Sequence, residues 1–565
     1  MERRIVLVAV DARWRDPNGT FFSFSYGIEK LRASIVSAPD LADTQILLLD
    51  LASGDAEQFF EAVRAFQPTM VGLSTYVWSL NIFAELTRRL REDQPDLVIV
   101  AGGPSARRSV LDLPQYHPLR DRVDAVIPGE GEAVIRELVR HHQAPDWRKR
   151  VAGLQFPTRG LWRSSEVAER PAINEYPSPY QLDLGPLHKT GYIETFRGCP
   201  IHCAFCQWGE QKSDRVHDAA YLEAHLEGLR RANVPNVFFL DAAFNLSPRA
   251  FRALVAAEDQ VGVLAGSVVH GHLYPTFLED HHLEFFDRIK QVQASIGIQS
   301  FDVDVLERLG RPFDVARFEK VLQRIRGRLN FDIELIFGLP GDNPESFRRT
   351  VERSLELGDT VKAFKCLVLP DALLERAADL SIEYDPVTFQ ILSCEGWTAD
   401  DLAREWEWLY DLAAQCDRPI LNDDWVGFAI TTQTGEVASG AEPRRERGAE
   451  PAEPVPAVSV RPEHRALGRL RDAIAQQAVG WGLSAVRGEP GGVFFDLLGP
   501  QGAVVLEVVR FEQGARYFAE RDGLAYSHRG PVDRVSSPGL RQVIDVVHPE
   551  ALNLVAAPRH RTWTT

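Results

Sequence analysis

Short apolar runs and amphipathic stretches alternate along the first 145 residues of the chain. The apolar runs, rich in Val, Ile and Leu, lie at residues 5–10, 45–49, 70–74, 97–101 and 125–127. The stretches between them, such as 28–36, 56–66 and 81–93, have the apolar spacing of amphipathic helices. This alternation predicts a doubly wound parallel sheet. Ligands bind such sheets beyond the carboxyl ends of the strands, where this chain has loops at 74–78, 102–104 and 129–131.

A second alternation of strand and helix patterns begins near residue 192. Its predicted strands lie at 192–196, 237–240, 262–269, 292–298, 331–336 and 363–369. About six such units are fewer than the eight of a full barrel, so the pattern predicts a partial (β/α)6 TIM-type barrel. The fold class expected for the whole chain is therefore α/β, with a small additional domain at its C-terminal end.

The sequence divides into six segments. They are the sheet domain (1–145), a connector with scattered prolines (146–185), the partial barrel (186–400), a helical extension (401–432), a linker (433–462) and a C-terminal α+β domain (463–565). The linker is rich in Ala, Glu, Pro, Arg and Gly, has few large apolar residues, and is expected to be disordered. A helix at 466–479 and strands at 492–497 and 503–509 are predicted in the last domain.

Composition and charge place the chain among soluble globular proteins. Its 565 residues are 45% hydrophobic and 25% charged, and the length calls for several domains. No apolar run is long enough to span a membrane, and the first run ends at Asp11, unlike a signal peptide. A cytoplasmic location with reduced thiols is expected. The net charge of −17 argues against a nucleic-acid partner.

Three of the six cysteines, Cys199, Cys203 and Cys206, lie within eight residues. Three thiolates can hold a 4Fe–4S cluster and leave one iron open for a small chelating ligand. A zinc site with His202 or His217 as the fourth ligand is the alternative. Zinc sites usually pair cysteines as C-x2-C, however, and no second pair exists. The other three cysteines are far apart and are expected to be buried small hydrophobic residues.

The spacing C-x3-C-x2-C, with Phe205 before the third cysteine, resembles the signature of the radical S-adenosylmethionine (SAM) enzymes. Its position after the first strand of a predicted barrel agrees with that family. The resemblance implies that the open iron chelates the amino and carboxylate groups of SAM. One-electron reduction then cleaves SAM to a 5′-deoxyadenosyl radical, with an electron donor such as flavodoxin or ferredoxin.

The N-terminal domain resembles the cobalamin-binding domain that precedes the barrel in one branch of these enzymes. The matching segments are VGLSTYVW at 71–78, AGGP at 101–104 and IPGEGE at 127–132. Segments at 178–180, 239–245, 297–300, 336–341 and 367–370 agree with the same branch, so the resemblance covers about residues 1–400. It implies cobalamin contacts from Ser74, Thr75, Tyr76, Val77, Trp78, Gly102, Gly103, Pro104, Gly129, Glu130 and Gly131.

One loop departs from other cobalamin domains. Many of these hold cobalt through a histidine in an Asp-x-His-x-x-Gly loop after the first strand, but residues 11–19 here contain no histidine. The resemblance then leaves Tyr76, Val77 or Trp78 to face the lower side of cobalt. A weak or absent lower ligand should ease the return to reduced, four-coordinate cobalt. The alternative is that Tyr76 and Trp78 only pack against the following helix.

Polar side chains at the ends of barrel strands are the expected SAM contacts. With the residues around the cluster, the candidates are Phe205, Trp208, Gly209, Asp241, Asn245, Gln299 and Ser300. Alternatively, Asn245 or Ser247 only caps the helix that Pro248 opens. His270 and His272 are candidate lining residues of the site, with no carboxylate partner evident in the sequence. No catalytic residue is singled out.

The resemblance implies a cobalamin-dependent radical SAM enzyme, foremost a C-methyltransferase. One SAM would methylate reduced cobalamin and a second would supply the 5′-deoxyadenosyl radical, so that a substrate radical takes the methyl group from methylcobalamin. The expected substrate is an unactivated carbon of a small secondary metabolite of the antibiotic type or of a peptide-derived product. The alternatives are ring formation, ring contraction or oxidation with the same cofactors, and a non-catalytic cobalamin- or metal-binding sensor.

Overall fold

The computed structural model describes residues 3–10, 24–51, 56–158, 161–168, 172–185, 190–210, 215–416, 418, 420–423, 427–431, 474, 482–489, 492–499, 502–511, 514–521, 524–528 and 561–564. These residues form two compact units. The first unit holds both strand–helix alternations of the sequence, and the second holds the C-terminal strands.

Seven strands form the N-terminal sheet. They are β1 (Arg4–Val10), β2 (Gln45–Leu51), β3 (Met70–Ser74), β4 (Val98–Gly102), β5 (Ala125–Val126), β6 (Gln155–Thr158) and β7 (Leu161–Ser164). The sheet order is β2-β1-β3-β4-β5-β6-β7. β1, β3, β4 and β5 pair in parallel, and β6 and β7 form an antiparallel edge. The order 2-1-3-4-5 is the doubly wound arrangement expected from the sequence, with its switch point between β1 and β3.

Helices separate these strands along the chain. They are α1 (Tyr26–Val36), α2 (Ala56–Phe66), α3 (Leu80–Asp93), α4 (Arg108–Leu111), α5 (His117–Arg120), α6 (Gly131–His141) and α7 (Trp147–Arg150). The apolar faces of α1 and α6 share one core with the strands through residues such as Ile28 and Leu138. The strands β1 and β3 are buried and consist mostly of Val, Leu and Ile, as strands covered on both faces must be.

The second sheet of this unit contains eight strands, and two short ribbons flank it. The strands of this region are β8 (Gly191–Ile193), β9 (Phe196–Arg197), β10 (Arg215–Val216), β11 (Asn236–Phe239), β12 (Val268–His272), β13 (Gln291–Gln299), β14 (Asn330–Phe337), β15 (Thr360–Lys365), β16 (Glu383–Tyr384), β17 (Ile391–Ser393), β18 (Ile420–Asp423) and β19 (Gly427–Thr431). The sheet order is β18-β19-β15-β14-β13-β12-β11-β8, while β9 pairs with β10 and β16 with β17. The six strands from β8 to β15 in this order are parallel, which agrees with the six units predicted.

The helices of this half start at well-defined caps. They are α8 (Ala219–Arg231), α9 (Pro248–Val261), α10 (Asp280–Phe286), α11 (Val303–Arg308), α12 (Val315–Ile325), α13 (Pro344–Leu357) and α14 (Ala399–Gln415). Side chains of Asp218, Asp302 and Asn343 each accept a hydrogen bond from a backbone N–H of the first turn. Such caps satisfy donors that the helix itself leaves unpaired, so they fix where each helix begins.

Three expectations for the first unit need adjustment. The strand predicted at 262–269 begins only at Val268, because Gly262 ends α9 in the left-handed region (φ +72°) and a 3-10 turn follows. The connector contributes α7, β6 and β7 rather than only loops. The helical extension ends as α14 at Gln415 and is followed by β18 and β19, which pair antiparallel at the edge of the sheet.

The second unit is a six-stranded antiparallel sheet in its described part. Its strands are β20 (Gly482–Glu489), β21 (Gly492–Gly499), β22 (Gly502–Phe511), β23 (Gly514–Arg521), β24 (Leu524–His528) and β25 (Arg561–Thr564), in the order β24-β23-β22-β21-β20-β25. The two predicted strands are present as β21 and β22. The predicted linker and the helix at 466–479 lie outside the described residues, except Ile474, which is helical. Within the described part of the chain, no helix has both the length and the apolar character needed to cross a bilayer.

Candidate functional site

The loop that carries the three clustered cysteines follows β8 of the second sheet and β9 of the short ribbon. We call residues 198–210 the cluster loop. Gly198, with φ +92°, turns the chain directly after β9, in a region that glycine adopts at little cost. Cys199 and Cys203 are buried, Cys206 is half-buried, and all three are free thiols. All three thiols follow β8 in the chain, and Cys206 is near enough to Cys199 and Cys203 to interact with them electrostatically. Their role as cluster ligands stays a prediction.

The surroundings of these thiols fit a cationic metal cluster. Burial raises the pKa of Cys206 to about 11 and also raises the pKa of Cys199. A buried thiol of this kind is a thiolate only when positive charge offsets it, which bound iron would supply. One cation is already present, because the Nη1 of Arg311 donates to the Cys203 Sγ at 3.7 Å. The donor set thus suits an iron–sulfur cluster held by three cysteines.

A ligand set for a single zinc ion is absent from the described residues. His202 uses its Nδ1 in a 2.6 Å hydrogen bond with the Gly209 carbonyl, and His217 uses its Nδ1 with Asn174 at 2.8 Å. The His217 ring also stacks on Tyr221. No three His, Cys, Asp or Glu side chains in the described ranges are arranged to hold a single metal ion. Cluster thiolates each bind a different iron and therefore need a wider arrangement than the ligands of one zinc ion.

Two of the three loops predicted to face cobalamin are joined through their backbones. The Thr75 N–H donates to the Gly102 carbonyl at 2.7 Å, and the Ser105 N–H donates to the Thr75 carbonyl at 3.0 Å. Gly103 has φ +93°, and a Cβ there would lie 2.8 Å from the Thr75 oxygen. A Cβ on Gly129 would meet nothing within 4 Å. Gly103 thus lets the loops after β3 and β4 pack closely, while Gly129 leaves open space at the carboxyl edge of the sheet, where a cofactor would be expected to bind.

The aromatic pair of the first loop is anchored at the switch point of the sheet. The rings of Tyr76 and Trp78 stack with centroids 4.4 Å apart, and the Trp78 indole N–H donates to the Val10 carbonyl at 3.0 Å. Val77 is buried between them in the chain, and Ser74 ends β3. Burial raises the pKa of Tyr76, so its hydroxyl is neutral. The histidine-free loop at 11–19 lies outside the described residues.

Asp241 and Asn245, two of the expected SAM contacts, are engaged with neighbouring backbone. The Asp241 carboxylate accepts from Thr195 N and Oγ1, both at 2.7 Å, and from Phe196 N at 3.2 Å. Burial raises its pKa to about 7. The Asn245 amide donates to the Tyr274 carbonyl at 2.8 Å and accepts from the Tyr274 N–H at 2.9 Å. Both side chains therefore hold strand-end loops in place, and Ser247 is the cap of α9.

The remaining SAM candidates lie around the cluster loop and the end of β13. Gln299 has φ +74° at a register shift of β13, a conformation that re-aims its side chain. The buried Ser300 donates to Asp342 at 3.1 Å. Phe205 is buried in the core, Trp208 is exposed, and a Cβ on Gly209 would crowd the Ile201 carbonyl at 2.9 Å. Only Gln299 and Trp208 are thus without a clear structural task among the described contacts.

One of the two histidines of β12, His272, has a carboxylate partner that the sequence did not reveal. The His272 Nε2 lies 3.6 Å from an oxygen of Glu334 on β14. Burial opposes the ionisation of Glu334, but His272 and Lys362 outweigh it and hold its pKa at about 2. His270 is buried and neutral, because burial lowers its pKa to about 3. One face of the central strands therefore carries a charged, partly exposed group of side chains.

Sequence reasoning missed one residue beside the cluster loop, Arg311, and the contacts by which Gln207 and Arg107 connect the two halves. Arg311 stacks over the Tyr274 ring, with 4.9 Å between its guanidinium carbon and the ring centroid, while it contacts the cluster thiol. The Gln207 amide donates to the Pro104 carbonyl at 3.4 Å, and Arg107 forms a 2.5 Å ion pair with Asp371. Each is a single polar residue with no motif around it, so no local signal marks it.

Comparison with known proteins follows the same division of the chain. Residues 34–139 match the model of the B12 binding domain, and residues 193–353 match that of the radical SAM superfamily. The chain therefore has a region similar to the B12 binding domain followed by a region similar to the radical SAM superfamily. The resemblance stated from the motifs and its cofactor set of 4Fe–4S cluster, SAM and cobalamin are confirmed.

Individual relatives are methyltransferases by name. The chain is 29% identical over 395 residues to the 2-(S-pantetheinyl)-carbapenam-3-carboxylate methyltransferase of Streptantibioticus cattleyicolor, covering 65% of this chain and 56% of that protein. It is 28% identical over 339 residues to the cobalamin-dependent radical SAM methyltransferase TokK of Streptomyces tokunonensis, covering 54% and 48%. The chain thus spans about half the length of these curated relatives.

A solved structure supports the fold. The radical SAM methyltransferase TsrM of Kitasatospora setae, with tryptophan and a SAM analogue bound, superposes with a TM-score of 0.56 and 16% identity. The match covers 73% of this chain and 89% of that chain. At this identity the likeness concerns the arrangement of strands and helices alone.

Proposed function

We propose that the chain is a cobalamin-dependent radical SAM C-methyltransferase that methylates an unactivated carbon of a small secondary metabolite or peptide-derived substrate. In this proposal residues 1–145 bind cobalamin, and residues 186–400 form a partial (β/α)6 barrel that binds the cluster and SAM. The segments at 146–185 and 401–432 complete the two sheets, and residues 463–565 form a separate domain.

The observation that carries the proposal is the contact between the two predicted cofactor loops. The cluster loop reaches the loop after β4 through the hydrogen bond from Gln207 to Pro104. The same loop after β4 is fixed a second time by the ion pair of Arg107 with Asp371. A group bound at the glycines beside Pro104 would therefore face a group bound at the cysteines. This juxtaposition favours chemistry that uses both cofactors together.

The residues of the site supply positions and charge, while the cofactors supply the reactive groups. Cys199, Cys203 and Cys206 would hold the cluster, and Arg311 offsets the negative charge at Cys203. When bound, the cluster with SAM provides a carbon-based radical, and cobalamin provides the methyl group. Cys199 and Cys203 are each 8% exposed, so water has little access to these two thiols.

The polar face of the central strands is a candidate for substrate contact. His272 remains partly exposed while it faces Glu334. His270 lies two residues earlier on the same strand, and its ring is neutral. Such groups can orient a substrate by hydrogen bonds without taking part in the radical step. The carbapenam and pantetheine groups in the name of one relative favour a small, thiol-linked substrate here. A flavodoxin or ferredoxin would supply the electron.

The test is a reconstitution of the chain with iron, sulfide, cobalamin and a low-potential reductant. SAM is then added with 2-(S-pantetheinyl)-carbapenam-3-carboxylate or with tryptophan, and the products are separated by mass. Formation of 5′-deoxyadenosine and S-adenosylhomocysteine with a product heavier by one methylene supports methyl transfer. A product formed with 5′-deoxyadenosine but without S-adenosylhomocysteine would instead favour ring formation, ring contraction or oxidation. The Cys206→Ala variant is the control for cluster-dependent cleavage.

A further inference from the structure

Five charged side chains meet between the start of α6 and the two-stranded ribbon of β9 and β10, which leads into the cluster loop. Arg197 of β9 donates through Nη1 to Glu130 at 2.6 Å and through Nη2 to Glu132. Its Nε donates to Glu194 at 3.0 Å. Arg215, the register partner of Arg197 in β10, forms an ion pair with the other oxygen of Glu130. We call these five residues the junction network.

The junction network is withdrawn from water. The side chain of Arg197 is 16% exposed, and those of Glu130 and Glu132 are 19% and 10% exposed. Buried charges are tolerated only when they are paired with good geometry, and losing one partner leaves the others uncompensated. The planar fork of an arginine fixes the directions in which its carboxylates lie. Three carboxylates on one guanidinium therefore define one arrangement of the two halves at this point.

Both ends of the junction network are next to the predicted cofactor loops. Only Gly198 separates Arg197 from Cys199. Glu130 lies between Gly129 and Gly131, in the loop that is predicted to face cobalamin, and α6 begins directly after it. A small rotation of the ribbon would therefore move the first cluster cysteine relative to the cobalamin-side loop. The contact of Gln207 with Pro104 is a single long hydrogen bond of 3.4 Å, which does not prevent that movement alone.

We propose that Arg197 and Glu130 are positioning residues that set the distance between the SAM-binding cluster and cobalamin. The proposal rests on the proposed function, because it assigns these residues to methyl transfer between the two cofactors. In that step the methyl group leaves the sulfonium of SAM as a cation equivalent and bonds to the electron pair of reduced cobalamin. S-adenosylhomocysteine leaves, and the reductant added to the assay supplies the electrons that reduce cobalamin beforehand.

We expect methyl transfer between the two cofactors to become slower, and we do not expect the cofactors to be lost from the chain. A misplacement of reacting groups by about 1 Å can lower a rate about a hundredfold. Arg197→Lys keeps a positive charge but removes the fork, and Glu130→Gln keeps the shape but removes a charge. Both variants should bind iron as the natural chain does, and because Glu130 is itself a predicted cobalamin contact, cobalamin is supplied at saturation to every chain. Both should transfer the methyl group from SAM to reduced cobalamin about a hundredfold more slowly while still cleaving SAM to 5′-deoxyadenosine.

The experiment compares the natural chain with these two variants and with Arg348→Lys. Arg348 pairs with the buried Glu405 between α13 and α14, so its variant disturbs a similar ion pair away from the cofactor loops. Iron and cobalamin contents are measured first. Single-turnover methylation of reduced cobalamin is followed by its absorbance and by S-adenosylhomocysteine, and 5′-deoxyadenosine is measured beside it. No organic substrate is needed for these measurements.

A second readout uses the chain without any cofactor. Hydrogen exchange should become about tenfold faster in residues 125–132 and 196–210 of Arg197→Lys, and in the same two segments of Glu130→Gln, because each variant loosens both sides of one junction. Unchanged exchange in both segments would overturn the proposal. The proposal would also be overturned if both variants formed S-adenosylhomocysteine and 5′-deoxyadenosine in the same ratio as the natural chain. An equally large loss of methyl transfer in Arg348→Lys would overturn it as well.

The outcomes separate this proposal from the proposed function. If the natural chain binds both cofactors but forms no S-adenosylhomocysteine, methyl transfer itself fails, whatever the variants do. If the natural chain transfers the methyl group and both variants do so at the same rate, only the positioning role fails.

Discussion

The carboxyl group of Asp241 makes the stability of the fold beside the cluster loop depend on pH. It is buried, and burial raises its pKa to about 7 although Thr195 and Phe196 donate three hydrogen bonds to it. In the unfolded chain the same carboxyl ionises near its ordinary value of about 4. The folded state therefore holds the proton more tightly. This contribution to stability is complete below about pH 4 and is lost as the pH rises towards about 7.

The size of the effect follows from linkage. Between the two pKa values, the free energy of unfolding falls by about 1.4 kcal/mol per pH unit for a single group. From about pH 5.5 to about pH 7 the loss is therefore about 2 kcal/mol, and above that the carboxyl is ionised in both states. Asp241→Asn keeps the shape and an acceptor for the two backbone donors but cannot ionise. Its stability should lack this pH-dependent loss.

Thermal unfolding of the cofactor-free chain, followed by circular dichroism at about pH 5.5 and about pH 8, tests this expectation. The natural chain should lose about 4–8 °C more in Tm than Asp241→Asn over this interval, as about 2 kcal/mol implies for a domain of this size. Thr195→Val removes one hydrogen-bond donor that lowers the pKa of Asp241. The pH range over which stability is lost should therefore extend to higher pH. Equal pH dependence of the natural chain and Asp241→Asn would refute the reasoning, since Asp241 would then be ionised throughout.

Three further variants test the site. Cys206→Ala should lower bound iron and sulfide after reconstitution because it removes one of three ligands, whereas the exposed Cys416→Ser should not; full iron in Cys206→Ala would contradict the assignment. Gly103→Ala should weaken cobalamin binding and cost on the order of 2 kcal/mol, because its positive φ and the nearby backbone exclude a Cβ, whereas Gly129→Ala should fold normally. If Gly103→Ala and Gly129→Ala bound cobalamin with similar affinity, the predicted role of Gly103 in cobalamin binding would be contradicted. Arg311→Met should make the cluster harder to reduce in a redox titration followed by electron paramagnetic resonance, and an unchanged potential would mean that this cation does not act on the cluster.

Much of the fold was predictable because its signals are local. The doubly wound sheet and the six parallel strands follow from the alternation of apolar runs and amphipathic stretches, which burial on both faces of a parallel sheet requires. Errors arose where the pattern was short or interrupted. β6, β7, β18 and β19 have few residues, and β12 begins after a glycine turn that the apolar run conceals.

The site was predictable only in part, for a related reason. Cys366 and Cys394 are buried as expected, but Cys416 is exposed, because it follows the last turn of α14 at the edge of the sheet. Asp241 and Asn245 follow β11 as expected, while their assignment as SAM contacts stays a prediction. Their hydrogen-bond partners, however, are the backbone groups of Thr195 and Tyr274. No spacing in the sequence indicates that Asp241 and Asn245 satisfy these backbone groups.

The sequence by itself determined the cysteine triad, the order of the two α/β halves and the glycine-lined loops, because these are written within a few residues of one another. Only the tertiary structure decided which charged residues contact these motifs. Arg311 reaches Cys203 across 108 positions of the chain, and Arg197 reaches Glu130 across 67. Burial makes such charges stable only as pairs, and the partner of a buried charge is chosen by the packing of distant strands and loops.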